Sequence, residues 1–166
     1  MSNFIEKVKK ICEANEKVAM YIDMDGTIVE YHIYESNEIA EKMGKEYKEF
    51  EPLKCVIQNL KELSNIKNLD MYILSLSKTN KITEEKKNWL KKYVPFIKEE
   101  NWIILTKEIG DYSSQNRDII KGENIKKREE SYTHSILLDD EQKVLREAKR
   151  LLKEKCTIYH VSSAII

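Results

Sequence analysis

VAMYIDMDGT (18–27) joins five consecutive apolar residues to a turn that carries two carboxylates and a glycine. A continuous apolar run of this length between charged neighbours is the pattern of a strand buried on both faces, as in a parallel sheet. The stretch therefore predicts a strand at 18–22 whose carboxyl end delivers Asp23, Met24, Asp25, Gly26 and Thr27.

Four more apolar runs follow: MYIL (71–74), WIIL (102–105), SILL (135–138) and CTIYHV (156–161). Between them lie residues at helical spacing. Leu53, Val56, Ile57, Leu60 and Leu63 form one such set, and Ile82, Lys86, Trp89, Leu90 and Tyr93 a second. The segment EQKVLREAKRLLKEK (141–155) is strongly helical, and Phe4, Val8, Ile11 and Cys12 mark a leading helix. Buried strands alternating with amphipathic helices imply βαβ units. The expected fold is α/β, a Rossmann-like parallel sheet with helices on both faces.

In such sheets the ligand sits outside the carboxyl ends of the strands. The first run ends in Asp23 and Asp25, the second in Ser75 and Ser77, and the fourth in Asp139-Asp140. Four carboxylates on one rim repel one another and need a cation or protons to neutralise them. A hard ion with oxygen ligands, Mg²⁺ rather than Zn²⁺, suits a site without His or Cys. Each piece alone has a plainer explanation. Asp-Gly is a common turn, and acidic residues before a helix complement its dipole. A calcium loop does not fit, because Gly26 directly follows the second Asp. The order of the pieces, each at a strand end, carries the signal.

Composition bounds the function. The 166 residues hold 29 Lys+Arg against 29 Asp+Glu, a formal net charge of zero, which argues against a dedicated nucleic-acid or membrane-surface binder. With no linker or repeat, residues 1–166 are expected to form a single domain. Only 4 Gly and 2 Pro exclude collagen-like and turn-rich β architectures. Cys12, Cys55 and Cys156 are odd in number and far apart, as free thiols in a reducing compartment are. No apolar stretch approaches the ~20 residues of a membrane span, and the charged start lacks the apolar block of a signal peptide. The expectation is a soluble cytoplasmic protein.

The motifs resemble those of the haloacid-dehalogenase-like (HAD) phosphohydrolases. YIDMDGT (21–27) is similar to their motif I, ILSLS (73–77) to motif II and ILLDDE (136–141) to motif IV. The helix-rich layout, with Trp89 in EEKKNWLKKY, further resembles the 5′(3′)-deoxyribonucleotidase branch. The resemblance implies that Asp23 attacks phosphorus to form an aspartyl-phosphate. Asp25 would protonate the leaving oxygen and then deprotonate water, which requires a pKa near working pH. It also implies Mg²⁺ held by Asp23, the Asp25 main-chain carbonyl and Asp139, with Asp140 as ligand or support. Thr27 would orient the turn, and Ser75, or alternatively Ser77, would bind a phosphoryl oxygen.

The family also needs a basic residue, usually Lys, on the helix between the third and fourth strands. The expected window is TKEIGDYSSQNRDIIKG (106–122), where Arg117, three residues after a Ser114 N-cap, matches best. Lys107 and Lys86 are alternatives, Lys86 being read otherwise as a snorkelling surface lysine. Family members differ in caps. Residues 28–51 leave room for a small flap at most, with Tyr31, His32 and Tyr34 as candidates to touch a base or sugar. The expected activity is Mg²⁺-dependent hydrolysis of a small phosphomonoester, a (deoxy)nucleotide 5′-monophosphate being favoured. The alternative is a degenerate relative that binds a phosphorylated ligand or protein partner with little turnover.

Overall fold

The computed structural model describes residues 2–30 and 46–165. Five parallel strands form one sheet in the order β3-β2-β1-β4-β5. They are β1 (Val18–Ile22), β2 (Leu69–Ser77), β3 (Trp102–Thr106), β4 (His134–Asp139) and β5 (Cys156–His160). The fold is α/β and Rossmann-like, as the sequence pattern requires. All five residues of β1 are buried, because the strand is central and covered on both faces.

Alternate side chains of β1 feed two cores. Val18, Met20 and Ile22 pack with α1 (Asn3–Ala14), α2 (Lys54–Leu63), α3 (Asn80–Tyr93) and the short α6 (Ser162–Ile165). Ala19 and Tyr21 face α4 (Ile120–Lys126) and α5 (Gln142–Leu152). Two helices begin at side-chain caps the sequence supplies. Ser2 Oγ accepts from Ile5 N at 3.3 Å, and Thr79 Oγ1 from Ile82 N at 3.2 Å.

Two details depart from the sequence pattern. Strand β2 runs well past the apolar quartet, so Ser75 and Ser77 lie inside it; their backbones pair with Ile104 and Thr106 of β3. The helix expected to open near Ser114 instead starts at Ile120. Residues before it are held by turns, Asn116 O accepting from Ile119 N and Ile120 N.

Chain order reverses about β1. The chain leaves β1 towards β2 and β3, then returns to β4 on the other flank. The carboxyl ends of β1 and β4 therefore border the crevice that this topology opens. Asp23 and Asp139 sit there.

Candidate active site

The turn after β1 is tight. Met24 O accepts from the amides of Thr27, Ile28 and Val29, each at 3.0 Å, and Gly26 N donates to Val29 O. Gly26 takes φ 78°, a left-handed conformation that favours glycine. The turn folds Thr27 back so that its Oγ1 donates to Asp23 Oδ2 at 3.0 Å.

Lys121 fills the centre of the crevice. Its Nζ donates to Asp23 Oδ1 at 2.6 Å and Asp139 Oδ2 at 2.7 Å, with only 4% of the side chain exposed. Burial alone would favour neutral Lys121; the Asp23 and Asp139 carboxylates more than offset this and raise its pKa. The neighbouring Gly122 brings α4 close to α5. A Cβ there would come within 3.1 Å of Ala148 Cα.

The acidic cluster remains electrostatically stressed. Asp23, Asp139 and Asp140 offer carboxylate oxygens that all lie within 4.8 Å of one another. Burial and the Asp139 charge push Asp23 well above the usual carboxylate range despite Lys121. The same two causes push Asp140 up to about 6. An all-oxygen set of three carboxylates whose charges are incompletely balanced fits a hard divalent cation. Backbone contacts fix the strand end: Asp139 Oδ1 accepts from Glu141 N, Val161 N donates to Asp139 O, and His160 Nε2 lies 3.0 Å from Asp140 O.

A second buried lysine serves Asp25. Lys86 is fully buried, and its Nζ donates to Asp25 Oδ2 at 2.7 Å, Ser75 Oγ at 2.8 Å and Leu76 O at 2.7 Å. Tyr47 Oη donates to the other oxygen, Asp25 Oδ1, at 2.7 Å. Partial removal from water pushes Asp25 up, but Lys86 and Tyr47 pull it below the usual carboxylate range. The expected pKa near working pH is thereby corrected: both carboxylate oxygens hold strong donors. Burial and the adjacent Asp25 charge raise the Tyr47 hydroxyl, which keeps its proton.

The geometry also revises the basic residue. Arg117 does not reach Asp23; its guanidinium makes a two-pronged pair with Glu141 and a bond to Asp118. It lies in the turn before α4, whereas Lys121 lies in the first turn of the helix and points into the crevice. Lys107 is exposed and donates to Ser114 Oγ at 2.7 Å. Lys86 is no snorkelling surface residue, since Ser75, Leu76 O and Asp25 supply three acceptors inside the protein. Ser77 is buried with no partner for its Oγ among the described residues, while Ser75 contacts Lys86. Tyr31, His32 and Tyr34 lie outside the described residues, as does most of the 28–51 flap. Tyr47, at its described end, is a site residue that the sequence reading missed.

No protein-family model and no curated protein matches the chain in sequence. Solved structures do match. The HAD domain of the effector protein Lem4 from Legionella pneumophila is similar over 87% of this chain and 87% of its own, with a TM-score of 0.50 and 15% identity. An inactive mutant of that domain gives a TM-score of 0.52 at 16% identity, covering 87% and 84%. The chain has the HAD fold. Within this fold the Asp23 and Asp139 carboxylates meet at the β1–β4 crevice, where the topology puts them. No helix among the described residues is long and apolar enough to cross a membrane.

Proposed function

We propose that the protein is a phosphomonoester hydrolase in which Asp23 is the nucleophile and Asp25 the general acid and base. One observation carries the reading: two carboxylates two residues apart, each held by its own buried lysine, Lys121 on Asp23 and Lys86 on Asp25. Lys121 beside the strand-end carboxylate Asp23 supplies fixed positive charge for a phosphoryl dianion, while Lys86 is committed to holding Asp25.

Asp23 attacks phosphorus, forming an aspartyl-phosphate as the bond to the leaving oxygen breaks. Thr27 and Lys121 hold its two oxygens and aim the attack. Asp25 gives the leaving oxygen its proton. The bound dianion adds negative charge beside Asp25, which raises that carboxylate's proton affinity from its low resting value, so Asp25 takes up from solvent the proton it then donates. Asp25, then ionised, removes a proton from water as that water attacks phosphorus. The Asp23–phosphorus bond breaks and phosphate leaves. Ser75, fully buried, accepts from Lys86 and so helps to hold that ammonium on Asp25.

Asp23, Asp139 and the Asp25 main-chain carbonyl, supported by Asp140, would hold Mg²⁺, which neutralises charge and orients the phosphoryl group. Among phosphomonoesters, a nucleoside 5′-monophosphate is the substrate favoured by the motif resemblance. Arg117 has no part in binding phosphate in this scheme.

The test is phosphate release from nucleotides, sugar phosphates and an aryl phosphate, with Mg²⁺ and with EDTA, for wild type and Asp23→Asn. Metal-dependent release that Asp23→Asn abolishes supports the reading. Folded, Mg²⁺-binding protein that releases no phosphate from any of them overturns it in favour of a binding protein.

A further inference from the structure

Tyr47 belongs to no strand or helix of the sheet layers, yet its side chain reaches the site. It opens a single 3₁₀ turn, Tyr47–Glu49, closed by reciprocal contacts between Glu46 and Glu49. Tyr47 is only 3% exposed. Its ring lies 5.1 Å from the Phe50 ring and edge-on to Trp89 at 6.4 Å, while Lys86 Nζ stands 5.7 Å from its centre. Trp89 Nε1 donates to Phe50 O at 3.0 Å, tying this turn to α3. Lys86 and Trp89, one turn apart on α3, thus fix both the turn and the ion that binds Asp25.

A carboxylate on a short side chain can rotate about its last torsion, and 45% of the Asp25 side chain is exposed. Lys86 alone, a point charge with rotatable donors, does not define the plane of that carboxylate. The Tyr47 hydroxyl, carried on a ring locked by aromatic packing, does: it pins Oδ1 while Lys86 holds Oδ2.

We propose that Tyr47 is a positioning residue for Asp25, setting the carboxyl plane from which the leaving oxygen receives its proton. This rests on the hydrolase reading above. The consequence is selective. Proton delivery matters most when the leaving group is a poor one, and hardly at all when a phenolate of low pKa departs unaided. A misaligned Asp25 therefore penalises alkyl and weakly acidic aryl esters while sparing activated ones.

The experiment measures kcat/KM for a series of aryl and alkyl phosphates of rising leaving-group pKa, with wild type and Tyr47→Phe. That substitution keeps the ring and its packing, and thermal melting checks that the fold is retained. Trp89→Phe is a second variant, which keeps the Tyr47 hydroxyl but removes the bond that ties its turn to α3. The expected result for Tyr47→Phe is a steeper fall of kcat/KM with leaving-group pKa, reaching about tenfold loss for alkyl esters, against less than about twofold for the most activated aryl ester. Trp89→Phe should shift the slope in the same direction by less. An equal loss on every ester, or no loss, overturns the role of Tyr47 while wild-type turnover leaves the hydrolase reading standing. Wild type without turnover on any ester removes both.

Discussion

Lys121 Nζ lies between Asp23 and Asp139, 2.6 and 2.7 Å from their carboxylate oxygens, and so bridges the two strands that border the crevice. Breaking a buried pair by removing one partner leaves uncompensated charge, typically at a cost of about 3–5 kcal/mol. Lys121→Met should therefore lower the unfolding free energy in EDTA by an amount of that order and abolish phosphate release. Adding Mg²⁺ should recover part of the stability without recovering activity. Chemical denaturation in both buffers reads the first effect, and phosphate release the second.

Lys86 and Arg117 should separate sharply in turnover. Lys86→Met removes a fully buried donor to Asp25 and Ser75, a loss comparable to deleting a transition-state hydrogen-bond donor, roughly 10²–10³ in kcat. Arg117→Ala removes a half-exposed pair with Glu141 and should change kcat by less than about threefold. Steady-state kinetics on one phosphomonoester ranks the two.

The three-carboxylate cluster makes a distinct expectation for metal removal. Wild type should gain thermal stability with added Mg²⁺ in the absence of substrate, since only folding gathers the three carboxylates that would hold the ion. Asp139→Asn should lose most of that gain. A melt that ignores Mg²⁺ in wild type would count against the cluster as a metal centre.

The motifs that the sequence displayed openly were those tied to chain direction. A buried strand followed by Asp-x-Asp-Gly-Thr, and another ending in Asp-Asp, put Asp23, Asp25 and Asp139 on one rim as soon as the sheet was parallel. Lys121 was in the expected window, but nothing local distinguished it from Arg117. Which one enters the crevice depends on where α4 starts, and that is decided by the Asn116 turn and by the contact of Gly122 with Ala148. Lys86 had a visible signal, a lysine on an apolar stripe with Ile82, Trp89 and Leu90, whose meaning required the three buried acceptors. Tyr47 had none: its role comes from Trp89 and Phe50 packing across elements.

His134 supplies a pH dependence of stability away from the rim. Burial, reinforced by the Lys149 charge and opposed by Glu154, lowers its pKa from the ordinary 6.5. The unfolded chain therefore binds the proton more readily, so this stabilising contribution is complete above 6.5 and is lost as pH falls below it. Wild type should lose stability relative to His134→Gln between pH 7 and pH 5, with little further divergence above pH 7. Paired melts across that range measure the difference, and parallel curves would refute the assignment.

The thiols should react unequally. Cys12 and Cys156 are buried, and burial raises both, Cys156 to about 12, whereas Cys55 is exposed. Iodoacetamide at neutral pH should label Cys55 quickly in the folded protein and all three only after denaturation, as mass spectrometry of peptides would show.

The position of β1 has a consequence during synthesis. One of its edges is matched early by β2, but the other waits for β4 at residues 134–139. At ~5–20 residues per second, the ribosome needs roughly 5–20 s to deliver that partner after β1 has emerged. Through this interval an apolar strand offers open amides and carbonyls along one side, the kind of template that recruits foreign strands. Aggregation of released truncated chains should accordingly be greatest for those that stop just short of β4, and should be lower for those that include it.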